Sequence, residues 1–118
     1  MTQQQELSDI QDIPATTPAI CIPHIEPSIT INDIQKAFKE KLNLGKITYV
    51  RIIPRDNYSC AFVHLVWNEH EESRKIRRRL LKGKSIRFLY GDNLEETPWF
   101  WKCVATESSM KTIKKLEQ

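Results

Sequence analysis

The segment from Lys46 to Trp67 constrains the fold of this chain more than any other part of the sequence. Lys46–Ile53 is rich in β-branched residues and is closed by Pro54, and Tyr58–Trp67 is rich in aromatic and β-branched residues. Both compositions favour strands. Because only a short polar turn at residues 55–57 separates them, the two strands are predicted to pair as a β-hairpin. The rest of the domain is then expected to pack against one face of this hairpin.

One amphipathic helix is predicted before the hairpin and one after it. In the first helix, Thr30 and Asp33 have the spacing of a capping box. In the second, Asn68 is the expected N-cap and Lys82-Gly83 is the expected end. Apolar residues recur at helical spacing in both segments. They are Ile34, Phe38 and Leu42 in the first helix, and Ile76 and Leu80 in the second.

Further strands are predicted at Ala19–Pro23, Ser85–Tyr90 and Pro98–Ala105. The final strand completes the order strand, helix, strand, strand, helix, strand. That order predicts an α+β fold of the ferredoxin-like split βαβ type, βαββαβ. We expect one four-stranded antiparallel sheet with both helices on one face, so that the opposite face of the sheet is open.

The 118 residues fit one domain with two short flanking segments. Residues 1–18 are polar, contain three acids and no base, and are predicted to form a flexible tail. Residues 19–106 are the expected domain, and residues 107–118 a C-terminal tail or a short frayed helix. Residues 19–118 carry 18 bases against 12 acids, a net charge of +6 that attracts anions.

Several function classes are unsupported by the composition. Three glycines are too few for a glycine-rich phosphate loop, and the three histidines form no recognisable catalytic motif. An enzyme and a cofactor are therefore not expected. Zinc-type ligands occur at Cys21, His24, Cys60, His64 and Cys103, but their wide dispersion predicts no metal site.

The same composition bears on location. The three cysteines are few, odd in number and widely spaced, which indicates reduced thiols rather than a disulfide framework. No apolar run approaches the length of a membrane span, so a membrane partner is not expected. The expected location is intracellular, in the cytoplasm or nucleus.

Strand alternation divides the predicted sheet residues between the core and the open face. Ala61, Val63 and Leu65 suit the core, as do Val50 and Ile52 on the preceding strand. On the last strand Lys102 should avoid the core, which turns Trp101 and Cys103 inward. The residues predicted to line the open face and to bind nucleic acid are Tyr49, Arg51, Tyr58, Phe62, His64, Phe100 and Lys102.

The predicted third strand resembles an RNA recognition motif. Ala61-Phe62-Val63 matches the fourth to sixth positions of the family octamer, whereas Tyr58, Ser59, Cys60 and Leu65 depart from it. The RNA recognition motif family also has a six-residue motif on its first strand, which corresponds here to Ile20–Ile25. Cys21 occupies the position at which the family has a stacking aromatic ring. The segment Ala61–Leu65 with Trp67 and the later segment Pro98–Trp101 also look like divergent motifs of this type in large DNA viruses. This likeness implies a viral protein, located in an infected host cell or in the virion.

The resemblance implies binding of single-stranded RNA, or of other single-stranded nucleic acid, through rings that stack on bases and cations that neutralise phosphates. The alternative is a protein-interaction or virion-assembly module on the same fold that has lost RNA binding. A secondary basic surface is predicted on the second helix, either as a contact with phosphates or an acidic protein or as a solvated helix face. Its residues are Arg74, Lys75, Arg78 and Lys82.

Overall fold

The structure, a computed structural model, describes residues 13–89 and 100–117. Eight elements follow one another in these ranges. The strands are β1 (Ile20–Ile25), β2 (Gly45–Pro54), β3 (Ser59–Trp67), β4 (Ile86–Leu89) and β5 (Phe100–Ala105), and the helices are α1 (Ile31–Glu40), α2 (Glu71–Leu81) and α3 (Glu107–Glu117). Residues 1–12 of the predicted tail, Tyr90 of the predicted strand Ser85–Tyr90, Pro98 and Trp99 of the predicted last strand, and Gln118 lie outside the described residues.

The strands form one antiparallel sheet in the order β2-β3-β1-β5-β4. The predicted α+β class is therefore confirmed, and the predicted hairpin is the pair of β2 and β3. The prediction of four strands is wrong, because the sheet has five. The fifth is β4, whose residues pair with β5 from Ile86 opposite Cys103 to Leu89 opposite Phe100.

The hydrophobic core lies between one face of the sheet and the helices α1 and α2. On β3, Ala61, Val63 and Leu65 are buried, as predicted, whereas the alternating His64 is exposed. The rings of Phe38 on α1 and Phe88 on β4 lie 4.7 Å apart, and Phe88 lies 5.6 Å from Trp101 on β5. The same core contains Ile34 of α1 and Leu80 of α2, so both helices cover the same face.

Two register shifts adjust which side chains face the core. Between Ile47 and Tyr49, β2 has one residue more than β3, so that Thr48 forms a bulge and Ile47 packs against the core. Between Ile22 and Ile25, β1 also has an extra residue. This second shift falls where Pro23 lacks a backbone N–H for the ladder, and it returns Ile25 to the core with 1% exposure.

The two helix starts differ in how well the sequence predicts them. At α1 the capping box is complete, since the Thr30 Oγ1 accepts from the Asp33 N–H and the Asp33 carboxylate accepts from the Thr30 N–H. At α2 the prediction of Asn68 as N-cap is wrong, because the N-cap is His70. The Asn68 Oδ1 instead accepts from the His70 N–H at 3.1 Å, which forms a turn before the helix.

The end of α2 is a Schellman motif at the predicted Lys82-Gly83. The Lys84 N–H donates to the Arg79 carbonyl, and the Gly83 N–H donates to the Leu80 carbonyl. Gly83 has a φ of +80°, a conformation that residues with a Cβ rarely adopt. The chain therefore reverses sharply between α2 and β4.

Residues 13–18, which the sequence assigns to the tail, pack beside α2. The buried Arg77 guanidinium donates to three carbonyls of this segment, those of Thr17 at 2.8 Å, Pro14 at 2.8 Å and Ile13 at 3.3 Å. The Trp67 indole N–H donates to the Pro18 carbonyl at 2.9 Å. Burial lowers the pKa of Arg77, and the neighbouring Arg74 lowers it further. The segment is thus held by a buried cation that donates to backbone oxygens of residues 13–17.

Arg77→Gln should lower the free energy of unfolding by about 2–4 kcal/mol, because several charge-assisted hydrogen bonds are lost and buried carbonyls are left unpaired. Chemical denaturation followed by circular dichroism measures this loss. Arg74→Gln, on the same helix, removes the same charge and should change stability by less than about 1 kcal/mol. Equal losses in the two variants would mean that Arg77 does not hold residues 13–18.

Candidate nucleic-acid interface

The strand registers bring most of the predicted open-face residues together. Arg51 pairs with Phe62 across β2 and β3, Phe62 pairs with Cys21 on β1, and Cys21 pairs with Val104 on β5. These four side chains form one row across the sheet, on the face opposite the core. Alternation along the same strands adds Tyr49, His64, Phe100 and Lys102 to this face.

Aromatic rings on the open face differ in how far they are exposed. Tyr49 is 55% exposed and Phe100 is 46% exposed, which is unusual for side chains of this size. Phe62 is half-buried between its neighbours. The rings of Tyr49 and His64 lie 5.7 Å apart and tilted, so they form one aromatic patch on β2 and β3. Phe100 forms a separate aromatic site on β5.

Tyr58, the remaining predicted ring, lies just before β3 at the margin of the open face. It stacks on His24 with ring centroids 4.6 Å apart and an angle of 15° between the planes. The bulge in β1 makes this contact possible, since it leaves His24 exposed while Ile25 enters the core. One face of the Tyr58 ring is therefore already occupied.

The cations of the open face include one that the sequence reasoning did not place there. Arg51 and Lys102 are exposed, as expected. Arg87 on β4 pairs with Lys102, and its guanidinium carbon lies 5.0 Å from the centre of the Phe100 ring, in a cation–π contact. The alternation of apolar and polar residues within Ser85–Tyr90 could have predicted Arg87 on the open face, because its two neighbours, Ile86 and Phe88, are apolar.

The five described strands contain no Asp or Glu. Open-face cations on these strands therefore have no carboxylate neighbour within the sheet. Within the described strands the surface thus combines exposed rings with positive charge, a combination suited to single-stranded nucleic acids.

Cysteines occupy the centre of the sheet. Cys21 lies on the open face and is half-buried, Cys60 is buried, and Cys103 is fully buried on the core face. Burial raises the pKa of Cys21, and the neighbouring Cys60 raises it further. Burial, with a smaller effect of Cys21, raises the pKa of Cys103 to about 12. The raised pKa values make the thiols of Cys21 and Cys103 poor nucleophiles.

The pKa of Cys103 predicts very slow alkylation in the folded protein. At pH 8 the thiolate fraction should be about 10⁻⁴, rising about tenfold per pH unit below the pKa. Iodoacetamide labelling, followed by mass spectrometry of peptides, should modify Cys21 well before Cys103. In denaturant the two should react at similar rates, and rapid labelling of Cys103 in the native protein would contradict its burial.

The predicted secondary basic surface lies on the helical side of the domain, not beside the open face. Lys75, Arg78 and Lys82 line a cavity at the end of α2, together with Arg79 and Lys84. Arg74 is not part of this lining. The structure thus separates two cationic surfaces, one on each side of the sheet.

The described residues also bear on a metal site and on a membrane span. Among residues 13–89 and 100–117, no three His, Cys, Asp or Glu side chains are grouped so that they could hold a metal ion. No helix in these ranges is long and apolar enough to cross a membrane. No protein-family model, curated protein or solved structure matches the chain. The geometry of the open face is therefore the basis for a functional proposal.

Proposed function

We propose that this chain binds single-stranded RNA, or other single-stranded nucleic acid, on the open face of its sheet and without catalysis. The observation that carries the proposal is the combination of exposed rings and cations on a sheet whose described strands contain no acid. Tyr49 and Phe100 would stack on bases, with Phe62 between them. Arg51, Arg87 and Lys102 would neutralise phosphates, and they would do so without competition from carboxylates on the same strands.

The architecture supports a relationship with RNA recognition motifs. The order β2-β3-β1-β5, with α1 and α2 on one face of the sheet, would correspond to a ferredoxin-like split βαβ unit. On this proposal β4 extends the sheet beyond β5 and contributes Arg87 to the binding surface. We propose that the protein belongs to a large DNA virus. It would act in the cytoplasm or nucleus of the host cell, or be part of the virion.

The rival function is protein interaction or virion assembly through the same face. A covering of the open face by the chain's own termini would favour this rival. The described parts of both termini lie elsewhere, because residues 13–18 contact Arg77 of α2 and a Cβ placed on Gly83 would lie 3.9 Å from the Met110 methyl of α3. This arrangement supports nucleic-acid binding, while exposed Val66, at 39%, is the feature most compatible with a protein partner.

Removing single rings tests the proposal. Tyr49→Ala, Phe100→Ala and Phe62→Ala should each weaken binding of a single-stranded oligonucleotide by about 1–3 kcal/mol, because each removes one stacking platform. Fluorescence anisotropy with a labelled oligonucleotide measures the change. Tyr49 and Phe100 are the more informative positions, since their exposure means that truncation should leave the fold intact.

Ile31→Ala is the matched control for ring removal. Ile31 is 42% exposed at the start of α1, away from the sheet, and its truncation should leave oligonucleotide affinity unchanged. If Tyr49→Ala and Phe100→Ala bind as tightly as the wild type while folded, the open face is not the binding site. A helical-side site or the protein-interaction rival would then replace the proposal.

Salt dependence separates the two cationic surfaces. Arg51→Gln and Lys102→Gln should each weaken binding and flatten the plot of log affinity against log salt by about 0.7–1 unit, because each removes one phosphate contact. Arg74→Gln and Arg78→Gln remove equal charge on α2 and should act only through screened long-range electrostatics. The reverse pattern, with large losses at Arg74 or Arg78 alone, would place the binding site on the helical side.

A further inference from the structure

A cavity on the helical side is lined entirely by cations. It measures about 300 Å³ and lies where α2 ends and the chain turns towards β4. All of its lining side chains are basic: Lys75, Arg78, Arg79, Lys82 and Lys84. Two pairs among them, Lys75 with Arg79 and Arg78 with Lys82, have the i,i+4 spacing at which like charges destabilise a helix. An anion bound in the cavity would remove this repulsion.

The fold holds these cations together. The Schellman motif at Gly83 brings Lys84 back towards the last turn of α2. The Arg79 Nε donates to the Ser85 carbonyl at 2.7 Å, which fixes the direction of that guanidinium. The carbonyls of Arg78, Arg79 and Leu80 already accept backbone N–H groups, so the basic side chains are not needed to cap the end of the helix.

Hydrogen-bonding capacity remains free in the cavity. The Arg78 Nε is buried and has no hydrogen-bond partner among the described residues. Lys75 has two carboxylate neighbours, Glu71 at 3.8 Å and Glu72 at 3.9 Å, but both are more than 80% exposed and such pairs contribute little. A buried donor without an acceptor is unfavourable, and a shift of the Arg78 side chain towards a bound oxyanion would give it one.

We infer that this cavity is a binding site for a compact anion that carries two or more phosphate groups. Five positive charges exceed the charge of about −2 on a single phosphate, so a polyphosphate balances the site better. Arginine suits this ligand, because its planar guanidinium can donate two parallel hydrogen bonds to phosphate oxygens. The site lies on the side of the sheet opposite the open face, and the inference does not rest on the proposed function.

Calorimetric titration of the full chain with inorganic tripolyphosphate, and in parallel with orthophosphate, tests the site. Tripolyphosphate should bind more tightly than orthophosphate. The double variant Lys82→Gln/Lys84→Gln, in which both residues are exposed, should bind tripolyphosphate at least about tenfold more weakly. The control Lys39→Gln/Lys41→Gln removes the same charge at exposed positions around the end of α1 and should stay within about twofold of the wild type.

Arg78→Gln is a second test, since it removes one of the cations that line the cavity. It should also weaken tripolyphosphate binding by at least about tenfold, with the fold verified by circular dichroism. Absence of tripolyphosphate binding to the wild type would overturn the inference. An equal loss in the control double variant would do so as well, because it would show attraction to net charge alone.

Competition identifies the source of the phosphates. A single-stranded oligonucleotide without terminal phosphates is added to the tripolyphosphate complex. If it displaces tripolyphosphate from the wild type, and Lys82→Gln/Lys84→Gln weakens its own binding, the cavity takes phosphates of a nucleic-acid backbone. If tripolyphosphate stays bound, the ligand is a free compact polyphosphate. The second result supports the inference, whereas the first would overturn the assignment to a compact anion.

Discussion

The two-residue alternation of the inner strands β3, β1 and β5 is the constraint on which the rest of the structure depends. It sends Val63 and Ile20 into the core, and Phe62 and Cys21 to the opposite face of the same paired strands. A slip of one residue in either pairing would exchange the two sets and expose the core. The bulges at Thr48 and at Pro23 lie beside this central region. They change which side chains of β2 and β1 point to the core, but they leave intact the row of paired residues that runs across the sheet from Arg51 on β2 to Val104 on β5.

Local sequence signals predicted the parts of the fold that depend on neighbouring residues. The β2–β3 hairpin, the capping box at Thr30 and the glycine end of α2 are of this kind, and each is present. The start of α2 at Glu71 was missed because Asn68 uses its side chain for a turn instead of a cap. The five-stranded sheet was missed because the partner of a short strand such as β4 depends on tertiary packing.

Within the candidate site, the sequence predicted which face of the sheet a side chain points to better than it predicted which side chains lie in contact. Alternation and the avoidance of a buried lysine placed Tyr49, Arg51 and Lys102 correctly on the open face. The stacking of Tyr58 on His24 was missed because it depends on a bulge in β1, which leaves no clear pattern in the sequence beyond Pro23. The contact of Arg87 with Phe100 was missed because it requires the pairing of β4 with β5.

Consecutive arginines on α2 show why the role of a charged residue depends on what the fold places beside it. Arg77 points to residues 13–18, and three backbone carbonyls accept its hydrogen bonds. Arg78 lies one helical step away and lines the cationic cavity, where its buried Nε lacks a partner among the described residues. A step of about 100° around the helix therefore separates a structural cation from a candidate ligand-binding one. The spacing of Ile76 and Leu80 predicts that Arg78 lies on the outward face of the helix, but no local signal in Arg77-Arg78-Arg79 indicates that residues 13–18 accept hydrogen bonds from Arg77.

Cysteine at the centre of the open face determines how the proposed nucleic-acid interface would work. Cys21 on β1 has no ring to offer a base, so stacking would be concentrated on Tyr49 of β2 and Phe100 of β5, the more exposed rings. Three strand spacings separate β2 from β5, a distance across the sheet of about 14 Å. Arg51 lies on the same strand as the first ring, and Arg87 and Lys102 lie beside the second. Each end of the face thus combines stacking with charge, and a nucleic-acid strand that crosses between Tyr49 and Phe100 would pass over Phe62 of β3, which is half-buried.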